Sequence, residues 1–281
     1  MITRLALNGL TLAQLRYFAA IADGGTFEDA AAVLGISQSA LSQGIARLEG
    51  ITGTRLLERD GRRRRITDTG ALVADYARRV LGESETLAND LDARQSGTAG
   101  QLRVGLIDAA ALYLLKERIA AFRHTHPELE LSIIVAGSDD LEQALLDFRI
   151  DLAVVIGPTS RAESIPLLTE PLHVYRGQGS IADATWALYP AGSRTRAAID
   201  SGLARAGIDP NVTVESGNPA VLRELAALTG SFTVLPTGVA GAVVELEPIM
   251  VNVAQREVLL ATRTSRSASE VVGTFAAAMS S

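Results

Sequence analysis

The apolar rhythm of this chain changes once, near residue 100, and no single fold accommodates both halves. Before that point apolar residues recur every three or four positions between short stops, the period of helices packed by one face. After it, short apolar runs alternate with helical patterns, which dictates a parallel sheet with helices on its faces. The 281 residues suffice for two or three domains. The expectation is an α/β multidomain protein with a helical head and an α/β body.

In the head, Thr11 is placed to cap a helix carrying Leu12, Leu15, Phe18, Ala19 and Ile21, and Gly24-Gly25 stops it. Thr26 caps a second helix through Ala30, Ala31 and Leu34, which ends at Gly35. Ser37 caps a third, whose Leu41, Ile45 and Leu48 recur at i, i+4 and i+7. About three residues join the second and third helices, the spacing of a helix-turn-helix. With those three apolar residues inward, Gln38, Ser39, Ser42 and Gln43 share the outward face near the helix start, the end that enters a major groove. Gln pairs with adenine through two hydrogen bonds, and Ser reaches base edges or phosphates. Gly44 weakens a helix by about 1 kcal/mol relative to Ala, so a close approach of another helix or of DNA backbone is expected there.

Net charge is −6, which by itself argues against nucleic acid, but its distribution does not. Residues 1–70 hold nine arginines against seven acids, whereas residues 101–281 hold fourteen basic residues against twenty acidic ones. Six arginines fall within residues 55–65, in "RLLERDGRRRRIT", where Asp60-Gly61 signals a hairpin turn. A basic β-ribbon beside a helix-turn-helix reads as a wing that contacts phosphates or a minor groove.

A long helix follows over 68–94, capped by Thr67. Val73, Ala77, Val80, Ser84, Leu87 and Leu91 form a heptad-like seam suited to a second helix, or to the chain's own core. "QSGTAG", 95–100, is a hinge. The body then reads as strands at "QLRVGLI", "LELSIIVAG", "DLAVVIG", "LTEPLHVYRG", "TWALYP", "VTVES", "FTVLP" and "EVLLATRT". Helices are expected at 109–123, 139–148, 195–206, 219–228 and 269–279. Two lobes with a cleft between them fit this order.

Several classes are disfavoured. The chain has no cysteine, which excludes disulfides and thiolate metal sites. His124, His126 and His173 are too scattered for a metal site. No apolar run approaches the roughly 18 residues of a membrane span, and no signal peptide is visible, so a cytoplasmic protein without cofactor is the expectation. No G-x-S-x-G, P-loop, G-x-G-x-x-G or H-E-x-x-H motif points to an enzyme.

The stretch "LAQLRYFAAIADGGTFEDAAAVLGISQSALSQGIARLEGITGTRLLERDGRRRRITDTG" resembles the DNA-binding domain of LysR-type transcriptional regulators over residues 12–70. Its carriers are the order A-A-x-L-x-x-S-Q-x-A-L-S-x-x-I-x-x-L-E, then G-x-x-L-L-E-R and an Arg-rich turn. The layout of the rest is similar to that family's linker helix and two-lobe effector domain of type 2 periplasmic-binding-protein fold. The resemblance implies a winged helix-turn-helix over 1–67, a dimerisation helix over 68–94, a hinge over 95–100 and an effector domain over 101–281. Lobe I would take about 101–165 and 258–281, lobe II about 166–257.

It further implies a homodimer or homotetramer that binds an imperfect palindrome of double-stranded DNA and a small-molecule effector. A regulator or architectural protein without a ligand is the alternative. DNA contacts are expected from Ser37, Gln38, Ser39, Ser42, Gln43, Arg47, Arg62, Arg63, Arg64 and Arg65, and dimer contacts from Val73, Val80, Leu87 and Leu91. Gly44 stands where relatives often carry a longer side chain, which suggests softened base readout. Effector contacts are expected at strand ends and helix starts: Asp108, Ser138, Ser193, Arg194, Ser216 and Asn218. Arg194 offers a carboxylate a charged fork. Asp108, where many relatives carry Ser or Thr, would welcome an amine, or would cap the next helix.

Overall fold

The computed structural model describes residues 7–23, 26–60, 63–96, 100–240, 248–263 and 270–280. The chain divides into two compact units, 1–91 and 92–281.

The first unit starts with α1 (Leu12–Ala22), α2 (Phe27–Leu34) and α3 (Gln38–Thr52). Each begins where the sequence supplies a hydroxyl. Thr11 accepts the N–H of Gln14 while the Gln14 side chain accepts the N–H of Thr11, and Thr26 and Asp29 repeat this box. Ser37 accepts the N–H of Ala40. Gly35 ends α2 at φ +66°, a left-handed turn that glycine adopts at no steric cost. Phe18, Leu41, Ile45, Leu48 and Leu56 fill the core between the helices.

Gly44 is not part of the outward face of α3. It is buried, and a Cβ there would stand 2.5 Å from the Tyr17 ring of α1. The expected close approach is therefore of a helix, and softened base readout does not follow from this glycine.

Strands β1 (Leu57–Asp60) and β2 (Arg63–Ile66) pair antiparallel from Leu57 with Ile66 to Asp60 with Arg63. This is the ribbon expected from Asp60-Gly61; Gly61 and Arg62 lie outside the described residues. The Thr67 hydroxyl accepts the N–H of Gly70 at the start of α4 (Asp68–Ser96).

The heptad-like seam of α4 divides in two. Ala77 is fully buried against Leu15 and Ala19, Val80 packs on the same cluster, and Val73 packs on the three-helix core. Val73 and Val80 thus pack in part against their own chain. Leu87 and Leu91 are 59% and 48% exposed, and Leu72 and Tyr76 are also exposed.

The second unit is built on one eight-stranded sheet. In chain order come β3 (Gln101–Leu106), a π-helical turn (Ala110–Leu114), α5 (Lys116–Thr125), β4 (Glu130–Val135), α6 (Ser138–Leu146), β5 (Leu152–Ile156) and β6 (Glu163–Tyr175). Then come β7 (Thr185–Leu188), α7 (Arg194–Arg205), β8 (Asn211–Glu215), α8 (Pro219–Thr229), β9 (Phe232–Pro236), α9 (Thr237–Ala240), β10 (Pro248–Thr262) and α10 (Glu270–Ser280). The strand order is β4-β3-β5-β10-β6-β9-β7-β8. Strand β3 is parallel to both β4 and β5, and β7 is parallel to both β8 and β9.

Between these parallel halves, β6 and β10 pair antiparallel along 13 and 15 residues. They are longer than the "LTEPLHVYRG" and "EVLLATRT" runs. Their extra length crosses from one lobe to the other, where the faces lose the apolar alternation that marks a strand. One core gathers Leu102, Val104, Leu145, Val154, Leu260 and Phe275, the other Leu172, Trp186, Leu203, Leu222, Phe232 and Val234. The single helix expected over 109–123 is broken, with a π-helical turn followed at Lys116 by α5. Leu115 stays fully buried at the junction.

Candidate functional sites

The first site is the outer face of α3. Ser37, Gln38, Ser39, Ser42, Gln43 and Arg47 are all exposed, while Leu41, Ile45 and Leu48 of the same helix are at most 2% exposed. Ser37 and Ser39 share a hydrogen bond of 3.0 Å. Gln38, Ser42, Gln43 and Arg47 have no side-chain partner among the described residues. A row of unpaired amides and hydroxyls behind a positive helix end presents donors and acceptors of the kind base edges require. On the neighbouring ribbon, Arg65 lies across from Glu58 and donates to it through Nε and Nη2, at 3.0 and 2.5 Å. Its charge is therefore partly neutralised, which the run of arginines gave no reason to expect. Arg63 and Arg64 occupy β2, opposite Asp60 and Arg59.

The second site is a cavity of about 390 Å³ within the 92–281 unit. Asp108, Ser138, Ser193 and Arg194 line it; Ser216 and Asn218 do not, although their neighbours Gly217 and Pro219 do. Ile107, Ala109, Ala136, Ile156, Pro190 and Ala191 supply small apolar walls. The starts of α6, α7 and α8 converge here because each follows the carboxyl end of a parallel strand. Several expected contact groups are already engaged. Ser138 Oγ accepts the N–H of Ile156, Ser193 Oγ caps α7 by accepting from Arg196, and Ser216 bonds to the backbone of Asn218. Asn218 caps α8 through Oδ1.

Arg194 is not a free fork. Nη1 donates to Glu142 at 2.8 Å and to the carbonyl of Ile156 at 2.7 Å, and Nη2 donates to Asp139 at 2.7 Å. Burial opposes ionisation of Glu142, yet the hydrogen bond from Arg194 holds its carboxyl below the usual range. Asp108 is not a helix cap either. It already lies in the first helical turn, the π-helical turn from Ala110 has no side-chain cap, and Asp108 instead accepts from Asn218 Nδ2 at 2.6 Å. Both contacts reach from one lobe core to the other, Arg194 to α6 and Asn218 to the end of β3.

In the wall of the cavity, through Arg256 and Thr195, lies a buried polar cluster that no motif in the sequence announced. Arg256, 4% exposed, donates twice to Glu170 Oε2, at 2.9 and 2.7 Å, and also to Thr195 and to the Tyr113 hydroxyl. Tyr113 donates to Glu170 Oε1 at 2.8 Å. Burial pushes the Tyr113 hydroxyl well above its ordinary pKa, with Arg256 opposing that rise. Arg256 and Glu170 lie across from each other on β10 and β6, so the pair sits on the strands that join the lobes. The available signal was a charge inside each of two strand-like runs, "TEPLHVY" and "QREVLLAT".

A helix-turn-helix head followed by a two-lobe α/β unit with an internal cavity defines a class of DNA-binding regulators. The chain belongs to the LysR family of bacterial transcriptional regulators. Residues 12–71 match the bacterial regulatory helix-turn-helix protein, lysR family, and residues 95–281 match the LysR substrate binding domain. It is 30% identical over 204 residues to the HTH-type transcriptional regulator YeiE of Escherichia coli K12, covering 68% of each chain. It is 37% identical over 148 residues to a probable hydrogen peroxide-inducible genes activator of Streptomyces viridosporus, covering 53% of this chain and 47% of that one. In fold it is similar to full-length CbnR complexed with its target DNA, with a TM-score of 0.69, 20% identity, and coverage of 96% of this chain and 99% of that one.

Proposed function

We propose that this regulator binds a small-molecule effector in the cavity between its two lobes and thereby resets the spacing of two DNA-binding heads on an imperfect palindrome. The observation that carries the reading is the cavity itself, walled by both lobes and spanned by Arg194–Glu142 and Asp108–Asn218. A ligand that alters those spanning contacts has different affinities for the two lobe arrangements, which is what linkage requires. The protein acts as a cytoplasmic homodimer or homotetramer. The exposed stretch of α4 at Leu87 and Leu91 is the part of the seam left for a second copy. Peroxide sensing by thiol oxidation has no residue to act on, since the chain contains no cysteine.

In DNA recognition, Gln38, Ser39, Ser42 and Gln43 read bases, and Ser37, Arg47 and the wing arginines Arg62, Arg63, Arg64 and Arg65 hold phosphates. The exposure of the α3 face supports this assignment. Replacing Arg63 and Arg64 by Ala should flatten the slope of log affinity against log salt by about 2, one counterion release per lost phosphate contact. Fluorescence anisotropy from low to moderate salt measures it; an unchanged slope places the wing off the DNA.

For sensing, a metabolite extract from cells should raise the melting temperature of the full chain, because ligand at 100 times its Kd adds about 2.7 kcal/mol to the folded state. An extract that shifts nothing argues for a regulator without a ligand.

A further inference from the structure

We propose that the cavity between the lobes holds its ligand by a protonated amine, set between Asp108 and Asp140. This rests on the reading of that cavity as the effector site and adds the ligand's chemical class.

The charges that line the cavity are unequally spent. Its two guanidinium groups, Arg194 and Arg256, are each held by carboxylates of their own: Glu142 and Asp139 for one, Glu170 for the other. The Glu170 side chain is only 8% exposed, so a ligand carboxylate that took Arg256 would strand a buried carboxylate, and one that took Arg194 would have to displace Asp139 from Nη2. Asp108 and Asp140 also line the cavity and carry no ion pair among the described residues. Asp108 spends Oδ1 on the Asn218 amide, and its Oδ2 has no hydrogen bond among the described residues. Asp140, exposed in the first turn of α6, makes no side-chain hydrogen bond among them.

Tyr189, 4% exposed, also lines the cavity, with its ring 5.6 Å from the Arg256 guanidinium.

With both lining guanidinium groups paired and two lining carboxylates, Asp108 and Asp140, outside those pairs, the site favours positive charge. Its volume of about 390 Å³ and its small apolar walls suit a compound of amino-acid size. A free amine and an amino acid share this chemistry. In the second case the carboxylate would meet the unpaired first N–H groups of α7.

Calorimetry on the full-length protein tests it with three panels: the standard amino acids, the amines left by decarboxylating them, and alkyl carboxylic acids of matched length without an amine. The expected result is binding by at least one amine-bearing compound. D108N and D140N should each weaken it tenfold or more, with the melting temperature of the unliganded protein unchanged. Binding by amino acids alone identifies a zwitterion, and binding by the amines as well identifies the cation as sufficient. The inference is overturned if the amine-free acids bind and D108N and D140N leave that binding intact, an outcome under which the cavity remains an effector site. It is also overturned if no panel binds. The effector reading itself falls only if the cell extract also leaves the melting temperature unchanged.

Discussion

Glu170→Ala should destabilise the 92–281 unit by about 3–5 kcal/mol, the usual result of leaving one member of a buried ion pair alone. Arg256 keeps its charge under all ordinary conditions. Its remaining partners, Thr195 and Tyr113, are neutral and offer no compensating carboxylate. Water cannot easily substitute at a site only 4% exposed. The double variant Glu170→Leu with Arg256→Met should recover most of the loss, since a well-packed apolar pair of similar volume is often as stable as a buried ion pair. Denaturant unfolding followed by the fluorescence of Trp186, the chain's one tryptophan and fully buried in the same unit, gives both numbers. A loss under about 1 kcal/mol for the single variant would mean that Arg256 is stabilised from elsewhere.

Leu87→Asp combined with Leu91→Asp should abolish tight binding to a duplex with two half-sites while sparing weak binding to one. Two linked heads gain about 10²- to 10⁴-fold in affinity from effective concentration, and that gain is what the double change removes. Both residues are exposed in the isolated chain, so the substitutions leave its own core intact. Val73 and Val80 are unsuitable for this test because they pack in part on the chain's own clusters, and a charge there would also destabilise the head. Sedimentation should report monomers. A variant that stays dimeric would place the subunit contact elsewhere.

The head was legible in the sequence almost residue by residue, because its determinants are local. Thr11, Thr26 and Ser37 cap the helices they announce, and the i, i+4, i+7 spacing of Leu41, Ile45 and Leu48 points them inward. The parallel strands were legible as apolar runs bounded by turn residues. What escaped depends on partners distant in sequence. Nothing near Arg194 shows that Glu142 lies 52 residues away along the chain and within 2.8 Å in space, and nothing near Arg256 points to Glu170, 86 residues distant. The same holds for Asp108, whose position before a helical pattern reads equally as a cap until Asn218 is seen to occupy it. A heptad spacing cannot say whether the helix it faces belongs to its own chain, and on α4 it faces its own chain as far as Val80.

The central claim is that the outer face of α3 reads base sequence. The direct test selects duplexes from a random pool with the wild-type protein, then compares wild type and Gln38→Ala on the selected sequence and on a scrambled one at one salt concentration. The account predicts a loss of about 1–3 kcal/mol on the selected duplex and little change on the scrambled one, as for removal of a bidentate contact to a base. Equal losses on both duplexes would contradict it, because a residue that only positions the protein on phosphates weakens all sequences alike.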